Sequence, residues 1–235
     1  MLQPLLDNHI LRTLPPETLR HWLQHGEVHA LRAGETLSTP QDKSRWSYFP
    51  LTAILVWVHL LESGATTAIA MVGREGASGL YNMLGYSNHL MVQCDGTALR
   101  MPNDLVKDAW RQSPAAHAQY TCFLRALMTQ VSLTAACNRH HNLEQQLVRL
   151  LLLTLDRTDG TTMRMTHGQM AGLLGTRREG VSYAASFLQQ RGLIEYGHGR
   201  ISIHDRQALQ AQACGCYRQV SAAYRTPPAI GQAQT

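Results

Sequence analysis

The spacing of apolar residues changes character along this chain, and each change marks a different kind of element. Behind Pro15-Pro16, Leu19, Trp22 and Leu23 recur at helical spacing, so the first 25 residues read as amphipathic helix. From Glu27 to about Met101 the apolar runs shorten to strand length, at 47–51, 54–61, 66–72 and 90–94. Turn residues separate them at Gly34-Glu35, Pro40-Gln41-Asp42, Ser63-Gly64, Gly73, Gly76 and Gly85. Such spacing predicts an antiparallel barrel or sandwich. Asp95-Gly96, between Met91–Cys94 and Thr97-Ala98-Leu99, predicts a hairpin. Past Pro102 the pattern turns helical: a short helix over 104–110, then a long one over 115–141 that contains neither Gly nor Pro. Tyr120, Leu124, Leu127, Val131 and Thr134 alternate four and three apart, and Asn138 continues this seam as a polar position. A seam of this kind can face its own domain or a second copy of the chain. Polar seam residues act as register devices between helices, so the expectation is a homodimer seam. A further helix over 143–155, a turn at Asp159-Gly160 and a short strand over 163–165 follow. The stretch from Thr226 has neither charge nor periodicity and is expected to be disordered.

The overall charge of +5 conceals an asymmetry. Residues 1–143 carry 11 basic and 10 acidic side chains, and residues 144–235 carry 10 and 6, so the net charges are +1 and +4. A basic second half beside a near-neutral first half points to a polyanionic partner for the second half alone. Nearly all the basic residues are Arg, whose planar fork suits phosphates and guanine edges, although Arg-rich codon usage gives the same bias. Hydrophobic residues at 44% suffice for a core, and charged residues at 16% are too few for a polyelectrolyte tail. No apolar run reaches membrane length and no signal peptide is evident, so a cytoplasmic protein without membrane contact is expected.

The most informative stretch begins at Thr166. Thr166 with Gln169 three residues on forms a capping-box signature, and the helix it opens runs to Leu174. Gly175 stands where the chain must turn sharply, with Ala171 four residues before and Val181 six after. A helix-turn-helix needs such a small residue, such a glycine and such an apolar anchor. In the second helix Val181, Ala184, Ala185 and Leu188 define a buried side. Arg178, Glu179, Ser182, Tyr183 and Ser186 fall on the other side, and the first turn presents Arg177, Arg178 and Glu179. Arg can bond guanine O6 and N7 together, and a carboxylate can accept from cytosine N4. A glutamate facing a polyanion fits base reading better than phosphate attraction. The other reading of Arg178 and Glu179 is a local surface ion pair. A strand at 193–196, a turn at Gly197-His198-Gly199 and a returning strand at 200–203 form a wing. The expected base contacts are Arg177, Arg178, Glu179, Ser182 and Tyr183. The expected phosphate contacts are Thr166, His167, Gln169, Thr176, His198 and Arg200.

Gly175-Thr-Arg-Arg-Glu-Gly-Val, the run from Leu188 to Ile194 and the wing together resemble the DNA-binding domain of the Crp/Fnr family of bacterial transcription regulators. Leu31-Arg-Ala-Gly-Glu-Thr-Leu and Tyr48-Phe49-Pro50 through Gly73 are similar to that family's cyclic-nucleotide-binding-like β-roll. The resemblance implies an α+β chain. Residues 1–113 would be a β-roll sensor domain, 114–142 a dimerisation helix, 143–220 a winged helix-turn-helix domain and 221–235 a disordered tail. It implies a homodimer on near-palindromic double-stranded DNA, contact with RNA polymerase, and gating by a small effector of unknown identity. By position Arg178 and Glu179 match the family's base-reading pair. Gly180 stands where a hydroxyl residue often contacts phosphate, and Tyr183 where a second base-contacting Arg often sits. The effector cassette departs further. Ala77 replaces the ribose-binding glutamate, and residues 86–93 contain no Arg for a cyclic phosphate, which argues against cyclic AMP.

Other chemistry gives no firm signal. No cysteine precedes Cys94, against the family's iron–sulfur branch. Cys94, Cys122, Cys137, Cys214 and Cys216 match no zinc spacing, adjacent His140 and His141 point about 100° apart on a helix, and Cys214-x-Cys216 lacks further ligands in sequence. No metal or cofactor is therefore expected. Gly73-x-x-Gly76-x-x-Gly79 lacks the Lys-Ser/Thr end of a phosphate loop, and no catalytic constellation is evident, against an enzyme. The competing class is a small-molecule-binding regulator whose basic domain meets another protein.

Overall fold

Strand β4 (Ile54–Leu60) is apolar on both faces, and the architecture follows from how each face is covered. The computed structural model describes residues 3–41, 45–79 and 88–225. Helix α1 (Pro16–His25) precedes β1 (Glu27–Leu31), β2 (Thr36–Ser38), β3 (Trp46–Pro50), β4, β5 (Thr66–Val72), β6 (His89–Cys94) and β7 (Gly96–Pro102). The strands form two antiparallel sheets, ordered β1-β7-β3 and β2-β6-β4-β5. Leu55 and Trp57 of β4 point between the sheets into a core with Phe49, Val72, Leu90 and Leu99. Trp22 of α1 joins it with its ring 5.3 Å from Phe49. Ile54, Val56 and Val58 alternate to the other face and enter a second core. A strand covered on both sides reads as a continuous apolar run, for which the period-two signal vanishes.

The second core is built by the rest of the chain. Helices α2 (Asn103–Gln112) and α3 (Pro114–His140) close the roll, and α4 (Leu143–Leu155) follows α3 after a break at His141–Asn142. Then come β8 (Thr162–Arg164), α5 (His167–Leu174), α6 (Arg178–Gln190), β9 (Ile194–Gly197), β10 (Arg200–Ile203), α7 (Arg206–Ala211) and α8 (Gly215–Arg225). Leu147, Leu151, Met170, Val181 and Ile201 pack with the outer face of β4. Two polar pins cross this interface: Gln93 Nε2 donates to Thr154 Oγ1 at 2.8 Å, and Thr66 Oγ1 to the Gly172 carbonyl at 3.1 Å.

Two expectations are corrected. Asp95-Gly96 does not make a hairpin: Cys94 pairs with Ile54 and Gly96 with Leu31, so the chain changes sheets there. A Cβ at Gly96 would lie 2.3 Å from the Ala53 nitrogen, so this glycine serves a close backbone approach. The heptad seam of α3 also faces inward. Tyr120 and Leu127 are buried in the roll core, with Leu124 and Val131 packed against it. Thr134 accepts from Arg149 Nη1 at 2.9 Å and Asn138 from Arg149 Nη2 at 3.4 Å. The register device is thus an intrachain bond to a buried Arg. The stretch from Thr226, expected to be disordered, lies outside the described residues.

Arg157, two residues past α4, cross-links the halves. Its Nε donates to Glu75 Oε1 at 2.6 Å and its Nη1 to the Leu153 carbonyl at 2.7 Å, and both partners of the ion pair are nearly buried. Glu75→Ala strands this guanidinium in the interior and should lower unfolding free energy by about 3–5 kcal/mol. Denaturant titration checks this, and Glu75→Leu with Arg157→Met should recover much of the loss.

Candidate nucleic-acid interface

The start of α5 is fixed by a complete capping box. Thr166 Oγ1 accepts from the Gln169 backbone N–H at 3.2 Å, and Gln169 Oε1 accepts from the Thr166 N–H at 2.8 Å. Gly175 ends the helix at φ 64°, the left-handed turn that the helix-turn-helix needs. A Cβ there would also press on Thr67 Oγ1 at 3.2 Å, so the turn lies directly against β5. Ala171 is buried where the helices meet, and Val181, Ala184, Ala185 and Leu188 seat α6 in the second core.

What this seating turns outward is the first turn of α6. Arg177, Arg178 and Glu179 are exposed, and Tyr183 is 71% exposed. No ion pair joins Arg177 or Arg178 to Glu179 among the described residues, which removes the local-pair reading. Arg177 is the N-cap and no side chain caps the helix, so backbone N–H groups of the first turn remain unpaired by caps. Two cations at a positive helix end oppose the helix dipole unless an anion sits there.

The wing supplies a second cationic patch. Strand order is β8-β10-β9, and Arg200 of β10 lies opposite Arg164 of β8. Both are exposed, and like charges directly opposite cost stability in a sheet unless an anion neutralises them. Arg164 is a residue that sequence reasoning missed. Its signal was the alternation Thr162-Met163-Arg164, which puts Met163 inward and Arg164 outward. His198 (φ 52°) and Gly199 (φ 71°) form the tip, the double positive φ of a two-residue hairpin turn.

Other expected contact residues are placed differently. His167 is not free: its ring stacks on Tyr196 with centroids 4.1 Å apart, and its Nδ1 lies 2.8 Å from Ser182 Oγ. Ser182 also donates to the Arg178 carbonyl at 3.0 Å. His167 and Ser182 therefore tie α5, α6 and the wing together, and Gln169 is engaged in its cap. Thr176 is exposed beside Arg177.

In the roll, Ala77 is buried, and Ser78 Oγ accepts from the Tyr48 N–H at 3.0 Å. A Cβ on Gly76 would lie 2.1 Å from the Phe123 ring of α3, so an aromatic fills the space before this segment. Residues 80–87, which include part of the arginine-free stretch, lie outside the described residues. A cavity of about 290 Å³ between the halves is lined by four arginines among others, of which Arg74 pairs with Asp159, Arg157 with Glu75 and Arg206 with Asp156.

At the far end of α3 the structure brings together residues that lie far apart in sequence. Cys137 and His141 meet Cys214 and Cys216, with all four potential ligand atoms within 4.8 Å of one another. The ligands missing around Cys214-x-Cys216 in sequence come from α3, 73 or more positions away. His140, next in line, is exposed and outside this cluster. Burial pushes the Cys137 thiol up, against the opposing pull of the Arg149 charge.

Residues 145–212 match the family described as the Crp-like helix-turn-helix domain. The fold is that of a CRP-family transcriptional regulator from Thermus thermophilus (TM-score 0.64, 20% identity, 80% of this chain and 96% of that one). It is also that of the c-di-GMP responsive global regulator CLP from Xanthomonas campestris (0.63, 14%, 81% and 100%) and of FixK2 from Bradyrhizobium japonicum (0.63, 16%, 80% and 98%). No curated protein matches the sequence. Residues 145–212 thus carry a helix-turn-helix of the Crp type, and the chain as a whole has the fold of the Crp/Fnr transcription regulators. No helix among the described residues is long and apolar enough to cross a membrane.

Burial lowers the His167 pKa from its ordinary 6.5, and the Arg178 charge adds to the effect. The neutral ring is thus favoured by the fold. Its contribution is complete above about pH 6.5 and is lost as pH falls through the lower folded value, because the unfolded chain takes up the proton first. Urea titrations between about pH 7.5 and 5 should show a shallower acid-side loss for His167→Gln than for the parent chain.

Proposed function

We propose that this chain is a sequence-specific double-stranded DNA-binding transcription regulator that works as a homodimer. The observation that carries this reading is the uncapped, outward-facing start of α6, where Arg177, Arg178 and Glu179 are exposed and form no ion pair among the described residues, together with the exposed, opposed Arg164 and Arg200 of the wing. In this reading α6 lies in the major groove, with Arg178 on a guanine edge and Glu179 on a cytosine amine. Arg177 and Tyr183 border the same bases. Thr176, His198, Arg200 and the newly placed Arg164 hold phosphates. Ser182, His167, Gln169 and Thr166 orient the reading helix through their contacts with one another and with Tyr196.

In this reading the dimer contact lies not on the inward seam but on the exposed stripe about 100° round α3 from it. Thr121, Arg125, Met128, Ser132 and Ala135 recur there four and three apart, and Met128 is 59% exposed. Two chains joined along this stripe would present α6 helices to successive major grooves about 34 Å apart on a near-palindromic site. A small effector gates the dimer in this reading. A cyclic nucleotide does not fit the family cassette here, since Phe123 crowds Gly76 and Ala77 offers no carboxylate.

DNA selected from a random pool gives the preferred site. Arg178→Ala should then cost about 1–3 kcal/mol on that site and relax choice at one base pair. Arg164→Ala and Arg200→Ala should weaken all sequences alike and lower the salt dependence by about one counterion each. Equal losses for Arg178→Ala on every sequence would refute base reading, and binding indifferent to salt would favour a protein partner. Met128→Glu should shift sedimentation from dimer to monomer, and an unchanged dimer would move the contact elsewhere.

A further inference from the structure

The break between α3 and α4 carries chemistry that the DNA-binding reading does not use. Cys137 lies in the last turn of α3, and His141 follows four residues later as its C-cap. Cys214 and Cys216 flank the start of α8. Cys137 Sγ and Cys214 Sγ are 3.8 Å apart, Cys216 Sγ and His141 Nδ1 3.7 Å, and all four ligand atoms fall within 4.8 Å of one another. We propose that these residues form a mononuclear tetrahedral site for a thiophilic divalent cation, of which zinc fits best.

The distances select one ion. Zn–S bonds near 2.3 Å place two sulfurs on a tetrahedron about 3.8 Å apart, and Zn–N bonds near 2.0 Å place nitrogen about 3.5 Å from sulfur. The two pairs match those edges, and the widest separation closes with small side-chain movements. An iron–sulfur cluster spreads its thiolates over several irons with sulfides between them, which demands a wider cage than this one. Three thiolates and an imidazole are also a donor set of structural zinc, and soft thiolates discriminate against magnesium and calcium.

A second observation, independent of the ligands, supports the charge of the ion. Arg149 of α4 is 5% exposed and forms no salt bridge among the described residues. It reaches Thr134 and Asn138, which bracket Cys137 on α3, and its Nε has no hydrogen-bond partner. A buried, unpaired cation is costly. Three thiolates, a neutral imidazole and a divalent ion sum to one negative charge, which Arg149 balances. A monovalent ion would leave an excess negative charge, and protonated thiols would leave Arg149 without a counter-charge.

The site joins the end of the long helix to the last helix of the DNA-binding half, across the break at His141–Asn142. An ion there clamps α8 to α3 and sets the angle at which α4 leaves. This consequence for α6 rests on the DNA-binding reading, whereas the site itself does not.

The full chain, purified in reductant without added metal or tag chelate, should carry about one zinc per chain by mass spectrometry of the elements. Metal-free chain titrated with cobalt(II) should develop thiolate charge-transfer absorption and the intense visible bands of tetrahedral cobalt, saturating at about one ion. Cys214→Ser and Cys216→Ser should lose at least about tenfold in zinc affinity, while Cys122→Ser, on α3 but outside the cluster, should match the parent chain. Should a variant fail to fold, the cobalt titration of the parent chain decides alone. No saturable tetrahedral cobalt spectrum, an iron–sulfur chromophore in its place, or zinc retained in full by a folded Cys137→Ser, Cys214→Ser double variant would each overturn the site. Zinc bound as described by a chain that binds no DNA would leave the site standing and remove only the DNA-binding reading.

Discussion

Arg157 meets four elements at once. Its guanidinium donates to Glu75 beside the roll, to the Leu153 carbonyl of α4 and to Gln130 of α3 at 3.3 Å, and it lies over the Tyr224 ring of α8 at 5.1 Å. Removing this charge from water is expensive, and the ion pair with Glu75 does no more than offset that cost. Its effect is on choice of arrangement. The apolar interface between roll and DNA-binding half would tolerate sliding, because leucines and valines pack against one another in many registers. A slide of one helical turn would leave a buried guanidinium without its carboxylate. One docking angle is therefore far lower in energy than its neighbours, and the outward direction of α6 is inherited from it.

The same docking explains why α3 keeps its heptad residues for its own chain. A helix that closes a β-roll must bury one stripe against the sheets, and large residues at a heptad seam are the ones able to fill that gap. Tyr120 and Leu127 do so, and Phe123 beside the seam reaches Gly76. What remains outward is the stripe of Thr121, Arg125, Met128, Ser132 and Ala135, which the roll leaves uncovered.

How much of this was legible in sequence depended on how local each signal was. The turn at Gly175, the capping box at Thr166 and the buried side of α6 all rest on residues within a few positions of one another, and the structure places them as the pattern implied. The long helix and α4 were legible for the same reason. Partnership between distant segments was not. A heptad records that a stripe is apolar but not what covers it. Asp95-Gly96 has turn composition, yet a change of sheet needs the same residues as a hairpin, and only strand pairing separates them. Arg164 gained meaning from Arg200 opposite it, and Cys214-x-Cys216 from Cys137 and His141. His167 was read as a phosphate contact because it begins a helix, but the Tyr196 ring that stacks on it comes from the wing.

These constraints converge on the two residues between α3 and α4. On one side Thr66 holds the Gly172 carbonyl, with Thr67 against Gly175, so the hairpin of β4 and β5 presses on the helix-turn-helix itself. On the other side α8 returns to lie along α3, bringing two cysteines to the break. Besides the Arg157–Glu75 pair and the Gln93–Thr154 bond, the helix-turn-helix is thus held front and back, and reorienting α6 within its half requires releasing one of those two holds. The front hold is a hydrogen bond and glycine contacts, each of about 1 kcal/mol, which thermal motion and a modest ligand can break. Four ligands around an ion at the back would be much stronger, since structural zinc binding is folding free energy on a scale of about 10 kcal/mol. A signal that moved α6 would then act through the β4–β5 hairpin, with the rear clamp as the pivot.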